Sequence, residues 1–123
     1  MTEQLNIKTI KGEVWKSIDQ YPKYLVSNYG RVYSFYRKKI LKPTKVGKLK
    51  MYVEVILTKD KVRHHVRLNR LVAMVFLSNP ENKPQVHHID GNSLNNAAAN
   101  LMWVTLAEHT QIHREMRGAN NNA

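Results

Sequence analysis

The chain is 123 residues long, 42% hydrophobic and free of cysteine, which suits one domain with a modest core and excludes disulfides and thiolate metal sites. Its formal net charge of +11 points to a polyanionic partner. The longest apolar run, Leu71 to Leu77, is far shorter than the roughly 20 residues that span a bilayer, and the N-terminus lacks a secretory pattern, so a cytoplasmic location is expected.

In chain order, the first ten residues show no periodicity and read as an extended or loosely held arm. Tyr24–Ser27 and Arg31–Tyr36 have the content of two short strands, joined at Ser27–Gly30, where Asn28 and Gly30 supply permissive backbone. Lys38–Lys50 reads as a basic connection broken by Pro43 and Gly47. Met51–Thr58 is β-branched and strand-like, and Val62–Val66 can pair back across a turn at Lys59 and Asp60. Asn69–Leu77 is expected to be a buried helix with Asn69 as its cap and Asn79 and Pro80 as its stop. Gln85–His88 and Leu101–Val104 read as short strands around a long turn built on Asp90, Gly91, Asn92, Asn95 and Asn96, whose side chains suit turn backbone. Thr105 and Glu108 form a capping-box pattern that opens a final helix, and Gly118–Ala123 reads as a flexible tail. The expected class is α+β: a small β-hairpin or sheet region over 1–68, then a helix and a ββα module over 69–117, then a tail over 118–123.

The charge is concentrated. Residues 31–70 carry thirteen of the twenty Lys and Arg against Glu54 and Asp60, a surplus equal to the net charge of the whole chain. Tyr33, Phe35, Tyr36 and Tyr52 are interleaved with it, and no amphipathic basic helix with a wide apolar face appears there. Both features favour nucleic acid over a membrane surface. Arg31, Arg37, Lys38, Lys39, Lys42, Lys45, Lys48 and Lys50 are the candidate phosphate contacts, while His64 and His65 read as DNA-facing or simply exposed.

Four of the six histidines lie between Val86 and Met116. On a helix, His109 and His113 stand one turn apart on one face. His87 and His88 are adjacent on a strand and therefore point to opposite faces, so one can ligate a metal while the other is left for proton transfer. Imidazoles from two elements converging on a point suit Zn, Ni, Cu or Mn better than Mg, and three ligands leave room for substrate. The alternatives are unrelated surface or core histidines and a closed structural zinc site, though such sites are usually rich in cysteine.

The strings V-H-H-I-D-G-N-x-x-N-N, N-L-x-W-V-T and E-H-x-x-x-H resemble the HNH (ββα-metal) nuclease motif. Trp15, Ile18, Tyr24, Val26, Ser27, Asn28, Gly30 and Val32 resemble the modular motif that opens free-standing phage and intron homing endonucleases. Arg70-Leu71-Val72-Ala73 through Phe76, with Asn79 to Pro84 after it, is similar to the segment leading into their HNH unit. The resemblance implies that His88 is the general base and that Asn100 bonds backbone across the loop and holds His88 in place. It also implies that His87, His109 and His113 ligate one divalent ion, which could be Zn, Mn, Ni or Mg. Homing enzymes commonly have Asp at the position of His87; His there, and the HxxxH pair, are similar to colicin-type nucleases and shift the metal away from Mg. A second departure is Asn69, where the family usually has His.

The implied activity is metal-dependent endonucleolytic hydrolysis of DNA, nicking or cutting double strands, by a phage or mobile-element protein of the homing type acting in a bacterial host. Two alternatives remain, a non-catalytic DNA-binding accessory protein with a structural metal module and a nonspecific toxin-like nuclease. One module implies one active centre, so a monomer that nicks is expected, with a dimer or protein partner open. Homing relatives often carry a further DNA-binding region after the HNH unit, and the chain stops at Ala123, so low specificity, or specificity from a dimer or partner, is expected.

Overall fold

Helix α1 (Leu68–Phe76) sits between the N-terminal sheets and the C-terminal strands and contacts both. The computed structural model describes residues 7–121, the last six of these by their backbone alone. Upstream of α1 lie two antiparallel sheets. The first has the order β1 (Trp15–Ser17), β2 (Tyr24–Ser27), β3 (Val32–Ser34), β4 (Lys39–Ile40), and the second the order β5 (Thr44–Val46), β6 (Tyr52–Lys59), β7 (Val62–Arg67). Downstream, β8 (Gln85–His88) pairs with β9 (Leu101–Val104), and α2 (Leu106–Asn121) follows.

Leu71, Val72 and Ala73 of α1 are wholly buried, and the helix packs against β2, β6, β7, β8 and β9. Ile18, Val26, Val32, Leu57 and Leu101 join the same core, so the basic sheets and the ββα module share one apolar interior. Arg70 reinforces the joint: its Nη1 donates to the Pro84 carbonyl at 2.7 Å, and its guanidinium lies 5.6 Å from the centre of the Trp103 ring. Trp103 Nε1 in turn donates to the Leu77 carbonyl at 3.3 Å.

The hairpin of β2 and β3, the pairing of β6 with β7, the buried helix, the β8–β9 pair and the capped final helix all form as the sequence suggests. The capping box is reciprocal: Glu108 N donates to Thr105 Oγ1 at 3.1 Å, and Thr105 N donates to Glu108 Oε1 at 2.9 Å.

Other expectations are corrected. Three short strands were not foreseen, and each is the edge of a sheet: β1 and β4 flank the first, and β5 flanks the second. Edge strands are short and often carry lysine, which blunts their exposed pairing groups, so Lys39 and Lys45 make β4 and β5 look like connecting chain. The β6–β7 turn sits one residue later than expected, on Asp60 and Lys61 at φ of 51° and 65°, because Lys59 pairs with Val62 and a two-residue loop needs left-handed backbone to match strand twist. Helix α1 starts at Leu68, its N-cap Arg67 makes no side-chain cap bond, and Asn69 is not the cap. Asn69 lies inside the first turn, where its Oδ1 accepts from Arg70 N at 2.9 Å. The loose arm is held from Lys8 onward, whose carbonyl accepts from Arg31, while residues 1–6 lie outside the described residues. The backbone of α2 continues to Asn121, through most of the stretch read as a tail. No helix among the described residues is long and apolar enough to cross a membrane.

Candidate metal centre and catalytic loop

Strand β8 alternates its side chains. His87 is buried beneath α2, whereas His88 is half-buried and belongs to the other face, the side of the 89–100 loop. On α2, His109 and His113 share a face, and their ring centres are 4.7 Å apart. His87 sits 5.4 Å from the first ring and 6.2 Å from the second. One ring nitrogen from each of the three lies within 4.8 Å of the other two. The pair one turn apart on the helix and the strand histidine opposite it thus form a triangle of lone pairs.

The electrostatics suit a cation. Burial, followed by the neighbouring His109, His113 and His88, holds His87 below the usual imidazole range. Burial, then His113 and His88, does the same to His109. Lowered pKa values keep these rings neutral, with lone pairs available at physiological pH. His109 Nδ1 is bonded to Gln85 Oε1 at 2.7 Å. An amide oxygen can only accept, so Nδ1 carries the proton and Nε2 is free to ligate. Gln85 is two residues before His87 and therefore on the same strand face; that spacing was the signal in the sequence for a residue whose role went unread. The residues present fit a divalent ion, and the triangle is imidazole only.

The loop between β8 and β9 is organised by asparagines. Asn100 Oδ1 accepts from Asp90 N at 3.0 Å, and its Nδ2 donates to Asp90 Oδ1 and to the Asn95 carbonyl, each at 2.9 Å. Asn92 N donates to Asp90 Oδ1, and Leu94 N donates to Asn92 Oδ1, the side-chain turns that these residue types favour. Asp90 is held below the usual carboxylate range by Asn95, then by the Asn92 backbone and Asn100. Asn100 thus ties the loop ends together. It does not bond the His88 ring; Asn96 does, with Oδ1 2.8 Å from His88 Nε2.

The basic candidates separate into two groups. Arg37, Lys38, Lys39, Lys42, Lys45, Lys48 and Lys50 are all exposed. Arg37, Lys39 and Lys42 line an open groove of about 480 Å³ together with Lys61, Arg63, Tyr24 and Tyr36. Lys61 and Arg63 enter this set only because β6 and β7 fold beside β4. Arg31 stands apart: its guanidinium is engaged by Glu13 in a two-pronged ion pair and lies 5.3 Å from the Trp15 ring centre. These contacts tie it to the fold in a way that the other candidates are not tied. His64 and His65 are exposed, the first against Tyr21 and the second 2.7 Å from Glu54.

The family profile described as HNH endonuclease matches residues 66–111, and the profile described as NUMOD4 motif matches residues 13–57. Residues 66–111 are thus an HNH endonuclease module, preceded by a NUMOD4 motif. It is 42% identical over 106 residues to an uncharacterized HNH endonuclease of Acanthamoeba polyphaga mimivirus, an alignment covering 82% of this chain and 26% of that protein. It is 40% identical over 94 residues to the DNA endonuclease I-HmuI of Bacillus phage SP01, covering 74% of this chain and 52% of that one. The solved structure of the homing endonuclease I-HmuI, described as binding and cleaving DNA, superposes with a TM-score of 0.72 at 35% identity, covering 89% of this chain and 60% of its own. The HNH chain thus spans between 26% and 60% of the length of these relatives.

Proposed function

We propose that the chain is a divalent-metal-dependent endonuclease of the phage or mobile-element homing type, hydrolysing phosphodiester bonds of double-stranded DNA. The observation that carries this reading is the triangle of His87, His109 and His113, with the adjacent His88 left out of it on the other face of the strand. His88 is the general base. It takes a proton from water, the water oxygen bonds to phosphorus in line, and the bond to the 3′ oxygen breaks, leaving a 5′ phosphate and a 3′ hydroxyl after that oxygen gains a proton. A bound divalent ion would supply Lewis-acid stabilisation of the charge on the phosphate and on the departing oxygen. The all-imidazole ligand set favours Zn, Ni or Mn over Mg. Arg37, Lys39, Lys42, Lys61 and Arg63 grip phosphates along the groove. One centre per chain makes nicking by a monomer the expected outcome.

The test is cleavage of supercoiled plasmid at low salt by metal-stripped protein refilled with Mn, Mg, Ni or Zn, beside His88→Ala. Relaxed circles from the wild type, a rate about 10² to 10⁴ lower in the variant and equal DNA retention by both are expected. Intact plasmid with every metal refutes the proposal.

A further inference from the structure

Asn96 is 6% exposed. Its Nδ2 faces the Ser93 carbonyl at 3.4 Å, which leaves Oδ1 as the atom 2.8 Å from His88 Nε2. An amide oxygen only accepts, so Nε2 must carry the proton and Nδ1 retains the lone pair. Among the described residues no hydrogen bond occupies Nδ1. A buried partner of this kind selects both the tautomer and the orientation of the ring.

Asn96 is itself held from the N-terminal motif. Gly30, at φ +85°, lies so close that a Cβ there would sit 3.0 Å from the Asn96 carbonyl oxygen and 3.5 Å from Asn96 Cβ. Two residues on, Ala98 N donates to the Asn28 carbonyl at 2.7 Å. The turn that makes these contacts is braced by side-chain hydrogen bonds. Ser27 Oγ accepts from Tyr29 N and Arg31 N, Asn28 Oδ1 accepts from Val14 N at 2.7 Å, and Asn28 Nδ2 donates to the Gly12 carbonyl at 3.2 Å. Ser93 Oγ also bonds the Met51 carbonyl, so the loop carrying Asn96 is pinned to the N-terminal sheets at two places.

We propose that Asn96 is the positioning residue of His88, and that the Ser27–Gly30 turn of the N-terminal motif acts through Asn96 to hold that ring, in addition to any contact with DNA. The inference rests on His88 being the base in the nuclease reading above. Free imidazole exchanges between two tautomers, and the Asn96 bond removes that choice. Its loss lowers the fraction of chains with Nδ1 ready to accept a proton and lets the ring turn, whereas DNA affinity is set elsewhere.

The experiment compares the full-length wild type with Asn96→Leu, Asn96→Asp and Gly30→Ala, by single-turnover nicking of supercoiled plasmid, affinity for the same plasmid, and ¹H–¹⁵N spectra of the histidine rings, with His88→Ala giving the assignment. The wild type is expected to show a protonated, slowly exchanging His88 Nε2 and an unprotonated Nδ1. Asn96→Leu is expected to lose the slow proton and to cut about 10- to 100-fold more slowly with unchanged affinity, whereas Asn96→Asp, which keeps an acceptor oxygen for Nε2, is expected to retain the slow proton and to cut faster than Asn96→Leu. Gly30→Ala, which leaves both side chains intact, is expected to weaken the Nε2 proton signal and the rate together; unchanged values there remove the turn from the proposal. Cleavage by Asn96→Leu at the wild-type rate, or an unchanged His88 spectrum, overturns the inference while the nuclease reading stands. A wild type that cuts nothing sinks the nuclease reading, and the ring spectra then decide alone whether Asn96 sets His88.

Discussion

Glu13→Gln is expected to destabilise the chain at neutral pH and to be nearly harmless in acid. The Glu13 side chain is fully buried. It accepts from Arg31 Nε at 2.8 Å and from Arg31 Nη2, and Ile10 N donates to it at 3.1 Å. The Arg31 bonds first of all, against the cost of burial, lower its pKa from 4.5 to about 2. At about 1.4 kcal/mol per pKa step this corresponds to an upper limit of about 3 kcal/mol, and because the Arg31 side chain is 26% exposed, solvent screening brings the expectation to about 1 to 3 kcal/mol. The folded carboxyl is the stronger acid, so its stabilisation is complete above the unfolded pKa of 4.5 and is lost as pH falls towards 2; about three-fifths of it is gone by pH 3. The assay is urea unfolding of wild type and variant at pH 7, 5, 4 and 3. Asp90 and Glu108, also held below their usual range, titrate in both proteins and cancel in the difference. A difference below about 0.5 kcal/mol at pH 7, or one that does not shrink on acidification, refutes the reasoning.

Asn100→Ala removes three hydrogen bonds across the 89–100 loop and is expected to cost about 2 to 3 kcal/mol in denaturant unfolding; an unchanged midpoint would mean that water replaces them. Gln85→Leu deletes the partner of His109 Nδ1 and is expected to weaken metal binding about 10- to 100-fold by calorimetry, with secondary structure retained. The triple variant Arg37→Ala, Lys39→Ala, Lys42→Ala should weaken DNA binding without changing sequence preference and reduce the slope of log K against log salt by up to about 3. An unaltered slope in an anisotropy titration would place the grip elsewhere.

Local chemistry made much of the fold legible. The alternating or β-branched runs at Tyr24–Ser27 and Tyr52–Lys59, the apolar stretch of α1 and the Thr105–Glu108 pair each fix their element within a few residues, because strand alternation and helix capping depend on near neighbours. The edge strands β1, β4 and β5 were illegible for the opposite reason: their own residues are unremarkable, and pairing with distant chain makes them strands. Asn69 misled because a cap residue works only where the helix actually begins, and β7 runs into α1 one residue earlier.

At the site, spacing alone puts His109 and His113 on one helix face and separates His87 from His88 by strand alternation, so the sequence by itself determined which rings can converge. Only the tertiary structure decided that they do converge, since the 4.8 Å triangle depends on how α2 lies across β8. It also decided which amide serves which ring. Gln85 and Asn96 resemble any other polar residue of a strand or turn until burial brings one against His109 and the other against His88. The same holds for Arg31, counted with the other cations by charge and paired with Glu13, eighteen residues away. Side-chain identity sets what a group can donate, accept or ligate; its partner is set by packing between elements distant in sequence, which no local pattern records.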